Sequence, residues 1–273
     1  MNNPSLQTEA VTPIIQVRDL ETWYGEHKIL EAVNLDVFAG EIMVIMGGSG
    51  SGKSTLLRYL LGLHKPDKGS INIFGKDIHS LNSKQQIEYR KKIGVSFQGG
   101  ALFNSMTVGE NVRMPLREHT ALDENTMRIM SRMKLEVVNL AGYENLTPAQ
   151  LSGGMVKRAA LARALVMDPK ILFFDEPSAG LDPVVAADLD NLILNLRDAM
   201  QVTVVVVTHE LESAFKIADR ITVLDRGHIL MTGTVDEVRN SENTRIQNLL
   251  TRTAEEQVID ADDYLQRLTE GAV

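Results

Sequence analysis

Apolar and polar positions alternate with period two over Ile14–Thr22 and Val33–Val37, the pattern of half-buried strands. Ile42–Met46 contains no polar residue, which predicts a short strand buried on both faces, and it runs directly into a glycine-rich loop. Ser54–Leu63 reads as a helix, Ser70–Phe74 and Ile93–Phe97 read as strands, and the polar stretch Leu81–Lys92 is compatible with a helix. From about Gly99 to Met167 the β-branched runs give way to helical spacing. Met127, Met130, Met133 and Val137 show it, and they predict a helical insertion with these side chains in its core. A strand at Ile171–Phe174 follows, then a helix with Val185, Leu189, Leu192, Ile193 and Leu196 on one side. A strand at Val202–Val207, a helix near Glu210–Ala218 and a strand at Ile221–Leu224 complete the series. Strands that alternate with helices predict a parallel sheet. The turn Asp225-Arg226-Gly227 joins Ile221–Leu224 to His228–Met231 as a hairpin.

Composition narrows the function classes. The 273 residues are 44% hydrophobic and 23% charged, which suits an ordinary globular fold with a sizeable core. Cysteine is absent, so disulfides, thiol nucleophiles and thiolate metal sites are excluded together. A net charge of −8 lacks the basic footprint of nucleic-acid binding, and no nucleic-acid partner is expected. The opening residues show no signal-peptide pattern, and no stretch approaches the roughly 18 consecutive apolar residues of a spanning helix. A cytosolic or peripheral protein is expected. The acid excess is uneven: Ala254–Val273 holds six acids against Arg267, a net −5.

Gly47-Gly48-Ser49-Gly50-Ser51-Gly52-Lys53-Ser54 matches G-x-x-x-x-G-K-[ST] between an apolar strand and a helical run, the context this motif requires. Its glycines let backbone N–H groups turn inward around a phosphate chain, and the helix start adds positive potential. Lys53 is suited to the β- and γ-phosphates and the Ser54 hydroxyl to Mg²⁺; Thr55 completes the predicted ATP-binding stretch. Lying 122 residues after Lys53, Asp175 and Glu176 follow a buried strand that in a P-loop fold can run beside the P-loop strand. The chemistry assigns Asp175 to Mg²⁺ through water and Glu176 to general-base activation of the attacking water. Leu151-Ser152-Gly153-Gly154-Met155 opens an Ala-rich helical run, and such a helix start is both an N-cap and an anion site. Two phosphate-binding helix starts with one general base suggest that the second serves another nucleotide.

Taken together, the P-loop, Gln98 after Ile93–Phe97, Leu151-Ser152-Gly153-Gly154, Asp175-Glu176-Pro177, Ser178-Ala179-Gly180-Leu181-Asp182 and His209 after Val202–Val207 carry a resemblance. Over about residues 14–240 the chain resembles the nucleotide-binding subunits of ATP-binding cassette (ABC) transporters. The resemblance implies an α/β P-loop NTPase core with an antiparallel β subdomain and an inserted α-helical subdomain at about 99–167. The cassette would occupy residues 1–245 and an acidic tail residues 246–273. It implies that Gln98 touches Mg²⁺ and senses a membrane partner, and that His209 holds the γ-phosphate and positions the water. Tyr24 would stack on adenine, and its neighbour Trp23 is the other aromatic there, one of the two serving only in packing. Ser152, Gly153 and Gly154 would bind the ATP of a second copy of the chain, and Asp182 would link the two sites. Position 155 is Met where most of the family has Gln, but the Ser and Gly donors are intact.

Within the family, Leu151–Ala164 and Gln98-Gly99-Gly100-Ala101-Leu102-Phe103 resemble the ATPases of maintenance-of-lipid-asymmetry (Mla) phospholipid transporters. That resemblance implies a homodimer on the cytoplasmic face of the inner membrane, a separate permease, a small STAS-type regulatory subunit and a lipid carrier protein. A cassette for a small-solute importer shares the same nucleotide motifs. A chromosome-maintenance ATPase does not fit, because there long coiled coils separate motifs that lie 99 residues apart here, from Lys53 to Ser152. Ile246, Leu249 and Leu250 fall at i, i+3 and i+4, and Tyr264, Leu265 and Leu268 form a second apolar set. They suit two short helices that need a surface, either the chain's own core or a partner; the alternative is a solvated acidic tail.

Overall fold

The computed structural model of the chain describes residues 12–251. Two sheets organise it. β1 (Ile15–Tyr24) and β2 (His27–Val37) pair antiparallel, and with β4 (Lys68–Ile73) and β5 (Lys76–Asp77) they form a four-stranded sheet in the order β2-β1-β4-β5. The second sheet contains β3 (Ile42–Met46), β6 (Ile93–Ser96), β7 (Ile171–Asp175), β8 (Thr203–Thr208), β9 (Arg220–Asp225) and β10 (His228–Gly233). Its order is β10-β9-β3-β8-β7-β6, and every pair is parallel except the β9–β10 hairpin. The adjacency allowed for the acidic strand and the P-loop strand is corrected here: β8 lies between β7 and β3. Alternating βα units leave the order of parallel strands open, and the crossover from α6 (Pro183–Met200) threads β8 into the gap.

The continuous apolar runs have a clear cause. Ile42, Val44 and Met46 of β3, Leu172 and Phe174 of β7, and Val204 and Val206 of β8 enter one core cluster with the helices. Met43, Ile45, Ile171, Phe173, Val205 and Val207 enter a second cluster with α1 (Lys53–Leu60) and the four-stranded sheet. With a strand period of two, both faces must be apolar when both are covered. The α/β core with an antiparallel β subdomain is therefore the observed architecture.

The insertion carries α3 (Val108–His119), α4 (Glu124–Val137), a 3-10 turn at Pro148–Gln150 and α5 (Gly153–Leu165). Its helix starts are written in the sequence: Thr107 and Glu110 form a reciprocal capping box on α3, and Asp123 caps α4. One expectation fails on α4. Met127 is buried and Met130 packs against the core, but Met133 and Val137 are exposed together with Ile129. The buried face runs through Met127, Ser131 and Leu135, because at 3.6 residues per turn a residue six positions on has rotated off that face.

α2 (Ser83–Arg90) starts at a capping box of Asn82 and Gln85, and α7 (Leu211–Ile217) follows β8. Beyond β10 come α8 (Val235–Arg239) and α9 (Thr244–Thr251). The boundary expected between residues 245 and 246 falls inside α9, whose Ile246 is buried and whose Leu249 and Leu250 pack against the main core. The first of the two expected tail helices thus uses the chain's own core. The second, through Tyr264, Leu265 and Leu268, lies outside the described residues. Among the described residues no helix is long and apolar enough to cross a membrane.

Candidate functional site

Strand register gathers the chemistry. Met46 is level with Thr208 across β3 and β8, Asp175 with Val207 across β7 and β8, and Ser96 with Phe174 across β6 and β7. The residues that follow, Gly47, His209, Glu176 and Gln98, therefore emerge at one end of the sheet. Crevices at the carboxyl ends of parallel strands are where open α/β sheets bind ligands. A cleft of about 840 Å³ opens there, lined by the loop from Gly47 to Gly50, Lys53, Ser54, Gln98, Glu176 and His209 among others.

The P-loop is built by close approach. A Cβ on Gly47 would lie 2.1 Å from the Leu224 carbonyl oxygen of β9, so only glycine fits. Gly52 has φ 105° as N-cap of α1, a conformation that favours glycine. Lys53 is buried and its Nζ donates to the carbonyl oxygens of Gly47 (2.9 Å) and Gly48 (2.8 Å). Burial pushes its ammonium below the ordinary lysine range, opposed by the pull of Glu176 and Asp175.

Across the cleft, Glu176 is 8% exposed and has φ 49°, a left-handed conformation uncommon for a non-glycine residue. Its N–H donates to the Val207 carbonyl at 2.8 Å, which pins the strained backbone to β8. Its carboxylate is fully engaged: Oε1 lies 2.8 Å from His209 Nδ1, and Oε2 accepts from the Thr208 hydroxyl at 3.1 Å. Asp175 is held above the usual carboxylate range, first by burial and then by the neighbouring charge of Glu176. Its Oδ1 is buried without a hydrogen-bond partner. An orphaned carboxylate oxygen, a Ser54 hydroxyl and a Gln98 amide are hard oxygen donors of the kind Mg²⁺ takes, so the chemistry of these residues fits that ion; Ser54 and Gln98 line the cleft and Asp175 ends the strand that leads to Glu176.

The predicted residues divide into two groups. The P-loop, Gln98, Glu176 and His209 are brought together, whereas Asp175, one residue before Glu176, and Ser152, Gly153, Gly154 and Asp182 do not line the cleft. Ser152 and Gly153 are exposed; the Ser152 Oγ accepts from the Met155 N–H at 3.3 Å as N-cap of α5. Asp182 caps α6 by accepting from the N–H groups of Val184 and Val185. Tyr24 also lies outside the cleft lining, at the end of β1 and 48% exposed, while the ammonium groups of Lys28 (5.0 Å) and Lys68 (5.4 Å) both approach the Trp23 ring. Sequence reasoning missed Asn248 and Leu249 of α9, which line the cleft beside Gly48. The i, i+3, i+4 spacing of Ile246, Leu249 and Leu250 was the available signal, but it did not say which surface the helix covers.

The chain matches the family model described as "ABC transporter" over residues 30–179. It is 39% identical over 260 residues to the "Intermembrane phospholipid transport system ATP-binding protein MlaF" of Haemophilus influenzae, covering 94% of this chain and 98% of that one. It is 43% identical over 236 residues to the "Probable ribonucleotide transport ATP-binding protein mkl" of Mycobacterium leprae, covering 86% of this chain and 68% of that one. Among solved structures, the dimeric post-hydrolysis state of the ATP-binding cassette MJ0796 bound to ADP and Pi superposes with a TM-score of 0.75 at 33% identity, over 81% of this chain and 98% of that one. A cleft at the strand ends with a P-loop, an acidic strand end and a histidine, together with these likenesses, places the chain in the ABC transporter family, as an ATPase whose hydrolysis is coupled to transport.

Proposed function

We propose that two copies of this chain pair head to tail and drive a separate membrane permease that moves phospholipid between the membranes of a bacterial envelope. The nucleotide would lie on the P-loop of one copy, Gly47 to Thr55, with Tyr24 stacking on adenine. Tyr24 is 48% exposed, whereas Trp23 is partly buried and its ring already takes the ammonium groups of Lys28 and Lys68, which supports that choice. Ser152, Gly153 and Gly154 of the second copy would close over the γ-phosphate, and Asp182 would link the sites. The exposure of Ser152, Gly153 and Asp182 and the absence of all four from the cleft support service in trans, as does the dimeric ADP-bound form of the similar cassette MJ0796. Ser54, Gln98 and Asp175 would hold Mg²⁺, which supplies charge neutralisation on the β- and γ-phosphates. Glu176 takes the proton of the attacking water and His209, already bonded to it, fixes the γ-phosphate and that water.

Mixing tests the composite site. A Ser152→Arg chain and a Lys53→Ala chain are each expected to be inactive alone, and mixing them forms one site free of both defects, so partial ATPase activity is expected to return. Activity in either homodimer equal to wild type contradicts the arrangement.

The phospholipid reading rests on the likeness to MlaF, which runs over nearly the whole of both chains. The likeness to the mycobacterial ribonucleotide-transport protein supports a small-solute reading but leaves about a third of that relative unmatched. Partners would include a STAS-type regulatory subunit and a lipid carrier, at the cytoplasmic face of the inner membrane. Affinity purification from membranes with lipid analysis decides between the readings: an integral permease carrying co-purified phospholipid is expected, and a permease that binds nucleosides instead overturns the lipid assignment.

A further inference from the structure

Lys157 is a buried cation that the chemistry above leaves unused. It sits on α5, five residues after the N-cap Ser152, and is 8% exposed. Its Nζ donates to the carbonyl oxygen of Gln98 and, at 3.1 Å, to that of Glu176. Those carbonyls lie beyond the ends of β6 and β7, so one ammonium ties three segments: the helix that starts at Ser152-Gly153-Gly154, the Gln98 loop and the general-base backbone. Burial pushes the ammonium below the ordinary lysine range, while the carboxylates of Glu176 and Asp175 pull it up. Without it, two carbonyls would lose a charge-assisted donor. Arg163, further along α5, donates to the carbonyls of Gly100 (2.7 Å) and Ala101 (2.6 Å), so the helix grips the Gln98 loop at a second point. Of the two cations, only Lys157 also bonds the Glu176 backbone.

We propose that Lys157 is a positioning residue that holds Gln98 and Glu176 in register with the α5 N-terminus, so that engagement of that N-terminus by the partner copy's nucleotide is felt at this chain's own general base. The inference rests on the roles given above to Glu176 and to Ser152, Gly153 and Gly154. The physical basis is rigidity. A helix moves as a unit, and Nζ bonds the main chain of the two residues whose side chains reach the cleft. A shift of α5 is therefore passed to both residues through one buried side chain bonded at both carbonyls. A displacement of about 1 Å is enough to change a rate by about 100-fold.

The test uses the full chain in its transporter complex and compares Lys157→Met, Lys157→Arg and Arg163→Met. Lys157→Met keeps length and volume but removes the charge and the donors. It is expected to lower kcat by about 10–100-fold with the KM for ATP changed by no more than about twofold. Lys157→Arg restores the donors and is expected to recover most of the lost kcat. Arg163→Met loosens the loop but not Glu176, so a smaller loss is expected. Wild-type kcat in Lys157→Met overturns the proposal. So does a fall in kcat matched by a rise in KM that Arg fails to rescue, which marks a packing role, and so does an equal loss in Arg163→Met, which marks a loop effect only. If Lys157→Met does not fold, Lys157→Gln carries the same test, with a kcat between those of wild type and a dead enzyme expected and wild-type kcat overturning. Glu176→Gln is measured alongside. Its retention of full turnover would bring down the general-base reading and this inference with it, whereas an inactive Glu176→Gln beside a fully active Lys157→Met removes the Lys157 proposal alone.

Discussion

Glu176→Gln is expected to lower ATP turnover by about 10²–10⁴-fold while ATP remains bound. The amide matches the carboxylate in shape and can still accept from the Thr208 hydroxyl, so the strained backbone and the contact with β8 survive. What it cannot do is take a proton from water. The change also removes the negative charge that, after burial, raises Asp175. Asp175 then ionises more readily and would hold its metal and nucleotide at least as well. A non-hydrolysing chain that still binds ATP should accumulate as an ATP-bound dimer, visible as a shift in mass on adding ATP. Steady-state hydrolysis and nucleotide titration on the same preparation check both halves. Wild-type turnover would remove Glu176 from the role of base.

Lys53→Ala is expected to weaken ATP affinity and turnover together. Among the described residues that line the cleft, Lys53 is the one Lys or Arg. Charge-assisted hydrogen bonds of this kind contribute about 1.5–3 kcal/mol each, so an affinity loss of about 10–100-fold follows from one. The substitution also takes the donor from the Gly47 and Gly48 carbonyls, which loosens the loop whose N–H groups remain. Titration with a fluorescent ATP analogue reads the binding term, and hydrolysis at saturating ATP reads the rest. The contrast between the two variants carries the argument: the carboxylate acts on rate alone and the ammonium on binding and rate. Equal affinity in Lys53→Ala and wild type would contradict the division.

Most of the cleft was legible in the sequence because its parts are local. A P-loop needs a strand, a run of glycines and a helix start in one short segment, and Ile42–Ser54 supplies all three in order. Capping residues act within a turn of the helices they start, so Thr107, Asp123 and Asp182 mark helix starts that the structure contains. Tyr24 and Trp23 are adjacent in sequence and both aromatic, so no local pattern tells them apart; their surroundings differ only in the fold, where Lys28 and Lys68 approach the Trp23 ring.

By itself the sequence determined most strand and helix types, the P-loop and the acidic strand end, since each depends on a period or on spacing within one segment, whereas the histidine stood out only through the resemblance to a family. The tertiary structure alone decided that β8 separates β7 from β3, that α9 brings Asn248 and Leu249 to the P-loop, and that Lys157 bonds the backbones of Gln98 and Glu176. These contacts join residues far apart in the chain. Hydrophobic burial, which drives the packing of the sheet and of α9, depends on area and not on direction, so an apolar period shows that a face will be covered without showing by what, and the carbonyls that Lys157 meets are set only once that packing is in place.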